Sequence, residues 1–212
     1  MGVSTRLVQL DVDSTFIQQE AIELLAAKAG VLEEVSRVTA AAMRGELDFA
    51  QSLLARVALL QGLTEDSIVQ VQQEITLTDG AADLVALLHQ KGHFVSLVSG
   101  GFTNVLQPMV DEMKIDFYRA NTLEIVDGKL TGKVLGEIID RAGKANALRE
   151  FAQACSIELS DTVAIGDGAN DLDMMEIAGI SIAFNAKPIV EAAADYSIKE
   201  PSLRSVPSLI NL

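Results

Sequence analysis

Short apolar runs alternate with helix-like segments along most of this chain, and this order restricts the possible folds more than any other feature. Four runs are predicted to be core strands, namely Arg6 to Val12, Phe94 to Val98, Thr162 to Ile165 and Ser181 to Phe184. Continuous apolar runs of this kind suit parallel strands that are buried on both faces. Because helical segments separate them, the sequence predicts an α/β fold with a mainly parallel sheet.

The segments between these strands show helical periodicity. Helices are predicted over Ser14 to Ala29, Leu32 to Met43, Asp48 to Gln61, Glu65 to Ile75, Asp79 to Gln90, Thr103 to Met113, Lys144 to Ala154 and Leu172 to Ala178. Asp127-Gly128 separates two further β-rich runs, which is typical of a two-residue hairpin turn. The hairpin strands are predicted over Leu123 to Val126 and Lys129 to Val134.

No strand-like run interrupts the long stretch that follows the first strand. We therefore predict a small helical domain over residues 16–75, inserted into a larger α/β core. The core is predicted to consist of residues 1–15 and 76–212. A total of 212 residues suits one core domain with a modest insertion.

The chain is strongly acidic, with 30 acidic and 16 basic residues and a formal net charge of −14. Such a surface repels nucleic-acid backbones and anionic lipids, so we expect neither as a partner. The first ten residues lack the apolar stretch of a secretory signal, and no run approaches the roughly 18 apolar residues of a membrane span. We therefore expect a cytoplasmic location, and any phosphate site must be positive locally.

Polar residues follow three of the predicted core strands. These segments are Asp11 to Thr15, Ser99 to Gly101, and Gly166 to Asp171. Ligands of open α/β sheets bind beyond the carboxyl ends of the strands, so the three segments are expected to meet at one edge. Each motif alone is more often a turn than a site. Their occurrence at successive strand ends indicates a shared site.

The residue types at this edge suit phosphate chemistry. Clustered carboxylates repel one another unless a cation lies between them, and Mg²⁺ prefers oxygen ligands of this kind. A carboxylate can attack phosphorus while a neighbouring acid protonates the leaving oxygen. Spacing alone leaves open whether Asp11 or Asp13 attacks. The Lys144 ammonium would balance the negative charge that phosphoryl transfer brings together.

The same segments resemble the motifs of the haloacid dehalogenase superfamily of phosphatases. The matching residues are Asp11-Val12-Asp13-Ser14-Thr15, Ser99-Gly100-Gly101, Lys144 and Gly166-Asp167-Gly168-Ala169-Asn170-Asp171. The resemblance covers nearly the whole chain. It implies a three-layer fold and makes the helical insertion at 16–75 a cap domain that sets substrate specificity.

The resemblance also implies a role for each matching residue. Asp11 would be the nucleophile, Asp13 would be the acid and base, and both would hold Mg²⁺ together with Asp167. Asp171 would orient the groups around the metal. The residues implied in phosphate binding are Ser99, Gly100, Gly101, Lys144 and Asn170.

Within this superfamily the match implies an amino-acid phosphate as substrate. Glu20 would bind the ammonium of O-phospho-L-serine, Arg56 would bind its carboxylate, and Met43 and Phe49 would line the closed pocket. An Arg fork suits a carboxylate better than a Lys does. The implied reaction releases L-serine and phosphate, as the last step of L-serine biosynthesis.

Other functions also remain open at this point. The phosphoryl group could pass from Asp11 to an alcohol such as homoserine, or the substrate could be another small phosphomonoester. Alternatively, the chain could bind a phosphometabolite without turning it over. The sequence does not distinguish a monomer from a homodimer.

Overall fold

The computed structural model describes residues 4–212, so residues 1–3 of the predicted core segment 1–15 lie outside the described residues. Within residues 4–212, seven strands form one sheet: β1 Leu7–Leu10, β2 Phe94–Phe102, β3 Phe117–Val126, β4 Lys129–Leu135, β5 Thr162–Gly166, β6 Ile180–Phe184 and β7 Tyr196–Ile198. Their order across the sheet is β4-β3-β2-β1-β5-β6-β7. Every neighbouring pair is parallel except β3 with β4. The predicted, mainly parallel sheet is confirmed.

Helices cover both faces of this sheet. Their bounds are α1 Ala21–Ala29, α2 Leu32–Met43, α3 Phe49–Ala58, α4 Glu65–Glu74, α5 Ala81–Gln90, α6 Thr103–Met113, α7 Arg141–Ala154, α8 Leu172–Ile177, α9 Pro188–Glu191 and α10 Val206–Leu209. Side chains of a strand point alternately to its two faces. Accordingly, Val8 and Leu10 belong to the core on the α5 and α6 side, whereas Leu7 packs on the α7 and α8 side. The result is the three-layer α/β arrangement that the sequence predicts.

Helices α1 to α4 lie between β1 and α5 in the chain, and this helical segment contacts the core at the β3–β4 hairpin. The Gly62 N–H donates to the Leu130 carbonyl at 2.8 Å, and the Leu130 N–H donates to the Leu63 carbonyl at 2.8 Å. The division of the chain at residues 16–75 stays a prediction. Within residues 4–212, no helix has the length and apolarity needed to cross a membrane.

The first predicted helix begins later than the sequence pattern indicates. Instead of starting at Ser14, it starts at Ala21, and the preceding residues form an irregular turn. Ser14 has a φ of 57°, which few residues other than glycine adopt. The Asp13 carboxylate accepts the Ala21 N–H at 2.8 Å and so occupies a donor at the helix start. The prediction from Ser14 was therefore wrong, because these polar residues bond locally instead of extending the helix.

The hairpin prediction is confirmed, whereas the far edge of the sheet was missed. Asp127 and Gly128 both have positive φ, at 49° and 72°, as a type I′ hairpin turn requires. Strand β3 starts at Phe117, earlier than predicted. Its first half is only partly buried, so its sequence lacks the continuous apolar run that indicates a core strand. Strand β7 has three residues, too few to give a clear sequence pattern.

Candidate active site

The three polar segments meet at one edge of the sheet, as predicted. Asp11 follows β1, Ser99 to Gly101 lie near the end of β2, and Asp167 follows β5. Strands β2 and β5 flank β1 on either side, so their carboxyl ends are adjacent. A cavity of about 410 Å³ opens there. Its lining includes these predicted site residues: Asp11, Asp13, Glu20, Met43, Phe49, Arg56, Gly100, Gly101, Asp167 and Asn170.

The remaining predicted site residues, Ser99, Lys144 and Asp171, are buried beside this cavity. Lys144, in the first turn of α7, places its Nζ 2.6 Å from Asp11 Oδ1 and 2.7 Å from Asp171 Oδ1. The second Asp171 oxygen accepts the backbone N–H groups of Asp167 and Gly168, at 3.1 Å and 3.0 Å. Asp171 is therefore occupied in holding Lys144 and the loop after β5.

Burial and like charges dominate the ionisation of this group. Burial raises the pKa of Asp11 well above its usual range, and Asp171 raises it further, while Lys144 opposes both effects. Burial and the neighbouring Asp171 also raise the pKa of Asp167, to about 6. Burial alone would lower the pKa of Lys144, but the two carboxylates outweigh it and raise that pKa. One buried cation thus does not fully compensate the carboxylates around it.

This set of oxygen atoms fits a further, hard cation. Carboxylate oxygens of Asp11, Asp167 and Asp171 lie within 4.8 Å of one another. Asp11 Oδ1 accepts the Val12 N–H at 2.7 Å and contacts Lys144, whereas no donor among residues 4–212 bonds to Oδ2. A divalent cation would lower the raised pKa values of Asp11 and Asp167, so the charge and chemistry of this group indicate a metal site.

Asp13 is held by two donors, in a position different from that of Asp11. Its Oδ1 accepts the Ala21 N–H at 2.8 Å, and its Oδ2 accepts the Ser99 hydroxyl at 2.9 Å. Burial raises the pKa of Asp13, although these two hydrogen bonds act in the opposite direction. A carboxyl group with a raised pKa can carry a proton and release it, which is what an acid and base needs.

The two glycines of the second motif allow close approach by other groups. A Cβ at Gly101 would lie 2.6 Å from Asp13 Oδ2, and one at Gly100 would lie 2.9 Å from the Phe49 ring. Neither distance is compatible with a side chain unless the neighbour moves. The glycines therefore keep the backbone close to Asp13 and to Phe49 of helix α3.

The side of the cavity formed by the segment between β1 and α5 carries one anion and one cation. Glu20 accepts the Ser14 hydroxyl at 2.6 Å. Burial, and next the charge of Asp13, raise the pKa of Glu20 to about 7. Arg56 donates from Nε to the Ser52 carbonyl at 3.2 Å, and burial lowers its pKa. Met43 lines the cavity but is 72% exposed, so most of its side chain faces solvent.

Sequence reasoning assigned no role to the two hydroxyl residues after Asp13. Ser14 bonds to Glu20, and the buried Thr15 donates to Asp167 Oδ1 at 3.2 Å. Lys187, which also lines the cavity, was missed as well. Ser14 and Thr15 belong to the first polar segment, but their partners are fixed only by the fold.

Comparison with known proteins agrees with this geometry. A sequence profile of the haloacid dehalogenase-like hydrolases matches residues 8–176. The chain therefore belongs to the haloacid dehalogenase-like hydrolase family.

Several relatives bear a more specific name. A phosphoserine phosphatase of Streptomyces coelicolor is 58% identical in an alignment that includes 98% of this chain and 50% of that relative. The chain thus spans about half the length of that relative. A phosphoserine phosphatase of Streptococcus thermophilus is 48% identical, with 97% of this chain and 95% of the relative covered. A solved structure described as a substrate-bound phosphoserine phosphatase complex has a TM-score of 0.92 at 40% identity, covering 97% of this chain and 98% of that one.

Proposed function

We propose that this protein is a Mg²⁺-dependent phosphoserine phosphatase that hydrolyses O-phospho-L-serine to L-serine and phosphate. One arrangement carries the proposal: Asp11, Lys144 and Asp171 form a buried charged group beside a cavity whose cap side presents Glu20 and Arg56. The names of the relatives that match over nearly their full length support the same activity. The cytoplasm suits such a biosynthetic enzyme.

In the first step, the Asp11 carboxylate attacks phosphorus. An oxygen of Asp11 forms a bond to phosphorus while the bond from phosphorus to the serine oxygen breaks, giving an aspartyl-phosphate. The leaving oxygen takes the proton of the Asp13 carboxyl group, whose raised pKa favours the protonated form. Oδ2 of Asp11 suits this attack because no donor among residues 4–212 occupies it.

In the second step, water cleaves the intermediate. Asp13, now a carboxylate, takes a proton from the water as the water oxygen bonds to phosphorus. The bond between phosphorus and the Asp11 oxygen breaks, which releases phosphate and restores the free carboxylate. Asp13 thus ends the cycle protonated, and no further reactant is needed.

Charge balance during both steps falls to residues around the phosphate. We propose that Asp11, Asp167 and the Asp13 backbone carbonyl hold Mg²⁺, which supplies a positive charge that screens the attacking carboxylate from the phosphate. Lys144 would bind a phosphate oxygen while keeping its contacts to Asp11 and Asp171. Further donors would come from the Gly100 backbone and the Asn170 side chain. The Ser99 hydroxyl and the Gly101 N–H would join them by leaving their present acceptors, Asp13 Oδ2 and Ser99 Oγ.

The cap side would select the amino-acid part of the substrate. Glu20 and Arg56 line one cavity with Asp11, so a substrate phosphorylated at one end can reach all three. We propose that Glu20 binds the ammonium and Arg56 the carboxylate, while Met43 and Phe49 shield the cavity from water. A lid that excludes water would strengthen these charge interactions.

A phosphate-release screen over small phosphomonoesters tests this function. With Mg²⁺ present, phosphoserine is expected to give the highest kcat/KM, and removal of the metal by EDTA should abolish turnover until Mg²⁺ is restored. The panel should include phosphothreonine, phosphoethanolamine and an aryl phosphate. A better substrate without an amino-acid group would contradict the proposed specificity, and full activity in EDTA would contradict the proposed metal.

Replacing Arg56 should weaken recognition of phosphoserine more than that of an aryl phosphate. Arg56→Ala removes a charge-assisted hydrogen bond to the substrate carboxylate, which an aryl phosphate lacks. We expect KM for phosphoserine to rise by about tenfold to a hundredfold. Arg37→Ala, which alters an exposed cap arginine paired with Glu34, is the control and should leave KM unchanged. An equal rise in KM for both substrates would remove Arg56 from carboxylate recognition.

The proton on Glu20 should make recognition of phosphoserine pH-dependent. Because its pKa is about 7, Glu20 is mostly neutral below that pH and binds an ammonium poorly. The ratio of kcat/KM for phosphoserine to that for an aryl phosphate should therefore rise by up to about tenfold between about pH 6 and about pH 8. The aryl phosphate corrects for titration shared by both substrates. Glu20→Gln should flatten the ratio, and an unchanged slope in that variant would assign the titration elsewhere.

A further inference from the structure

A buried amide lies below the charged group in the central strand. Gln9 of β1 is fully buried, and it is polar whereas its buried neighbours Val8 and Leu10 are apolar. Gln9 and Asp11 are two residues apart, and the Gln9 side chain points to the face that α7 and α8 cover. Burial of an amide costs free energy unless the amide is hydrogen-bonded, so the partners of Gln9 indicate its role.

Those partners come from three other elements of the fold. Gln9 Nε2 donates to the Lys144 backbone carbonyl at 3.1 Å and contacts Met174 Sδ at 3.2 Å. Gln9 Oε1 accepts the Ser96 hydroxyl at 3.4 Å. A single side chain on β1 therefore contacts α7, α8 and the neighbouring strand β2.

The elements that Gln9 joins also carry the charged group. Asp11 follows β1, Lys144 lies in the first turn of α7, and Asp171 comes directly before α8. The start of α7 is also held internally, since the Lys144 N–H donates to the Asp140 carbonyl at 3.0 Å. That bond fixes the helix turn but not its position relative to β1, whereas the bond from Gln9 joins the α7 backbone directly to the strand.

We propose that Gln9 is a positioning residue that holds Lys144 in place for reaction. It fixes the α7 backbone at Lys144, so that the ammonium reaches Asp11 and Asp171 while a third N–H remains for the substrate phosphate. A carbonyl inside a helix already has its helical donor, so the bond from Gln9 is not needed to satisfy that carbonyl. The kinetic part of this role rests on the proposed phosphatase activity.

Gln9→Met tests the role, because methionine has a similar length but no N–H donor. We expect kcat for phosphoserine to fall by about tenfold or more, since small displacements of a catalytic group cost large factors in rate. KM should change by less than about twofold, and the thermal midpoint should stay close to that of the unaltered protein. The ¹⁵N–¹H resonance of the buried Lys144 ammonium should shift.

Two control variants separate positioning from general packing. Ser96→Ala removes one partner of Gln9 but keeps the bond to Lys144. Thr162→Val removes a buried hydroxyl that bonds to the Leu159 carbonyl at the opposite end of β5. Both controls should keep kcat and the Lys144 resonance.

An unchanged Lys144 resonance in Gln9→Met would overturn the proposal, whatever happens to kcat, and so would a shifted resonance with full kcat. Should Gln9→Met not fold, Gln9→Asn, whose amide is too short to reach Lys144, replaces it. If neither folds, Gln9 serves stability and the proposal fails. If the unaltered protein does not hydrolyse phosphoserine, the proposed function fails, while the resonance still decides whether Gln9 holds Lys144.

Discussion

Asp11→Asn is expected to abolish turnover of phosphoserine while leaving the protein folded. An amide does not attack phosphorus, so kcat should fall by about ten-thousandfold or more, as for other nucleophile replacements. The substitution preserves the shape of the side chain. The amide oxygen of Asn can still accept the Val12 N–H, as Asp11 Oδ1 does now. Steady-state phosphate release measures the loss, and circular dichroism checks the fold.

A second measurement shows whether Asp11 carries the phosphoryl group. Phosphoserine labelled in its phosphoryl group is mixed with the protein, and the reaction is quenched in acid during turnover. The unaltered protein should retain the label, and Asp11→Asn should retain none. Asp173→Asn is the matched control, because it makes the same chemical change on α8, where Asp173 pairs with Arg141 at the surface. Label on Asp11→Asn, or turnover near that of the control, would remove Asp11 from the nucleophilic role.

The convergence of the site was predictable because it follows from topology. Each polar segment lies at the end of a buried strand or directly after it, and parallel strands end at the same edge of a sheet. Which of Asp11 and Asp13 attacks did not follow from their spacing, since both lie at one strand end. The structure separates their surroundings: Asp11 contacts Lys144, whereas Asp13 contacts Ser99 and the Ala21 N–H.

What the sequence could not give depends on contacts between distant parts of the chain. The bond from Gln9 to Lys144 spans 135 residues, and the bond from Thr15 to Asp167 spans 152. The local sequence pattern also predicted the wrong start for the first helix, at Ser14. There the side chains of Ser14 and Asp13 form hydrogen bonds to Glu20 and to the Ala21 N–H, and the helix begins only at Ala21. In these places the tertiary structure, not local propensity, decides the conformation.

Lys144→Met should destabilise the protein strongly as well as inactivate it. Lys144 is fully buried between Asp11 and Asp171, and its removal leaves two carboxylates without a cation. Breaking a buried ion pair in this way costs about 3–5 kcal/mol in the free energy of unfolding. Urea unfolding in EDTA near neutral pH measures the loss. Lys199→Met, at an exposed lysine near Glu191, should change stability by less than about 0.5 kcal/mol.

The deficit of Lys144→Met should shrink as the pH falls. Burial already raises the pKa of Asp11, and losing the opposing charge of Lys144 should raise it further. An acid whose pKa is higher in the folded state holds its proton there more tightly, so its effect on stability becomes unfavourable as pH rises through that pKa. Acidification toward the ordinary carboxyl pKa should therefore restore stability, and a variant folded only at low pH would show the same effect. A deficit independent of pH would mean that lost packing, rather than uncompensated charge, explains the cost.

Combining the two substitutions separates stability from chemistry. In the Lys144→Met background, Asp11→Asn removes one of the uncompensated carboxylates, so it should recover part of the lost free energy of unfolding instead of adding to the loss. Activity should not recover, since the nucleophile is still absent. Recovery of stability without recovery of turnover would show that Lys144 compensates the charge of Asp11 in the fold. It would also show that the Asp11 carboxylate is needed for the reaction with phosphorus and not for stability. If Asp11→Asn instead destabilises the Lys144→Met variant further, the two side chains are not coupled through charge.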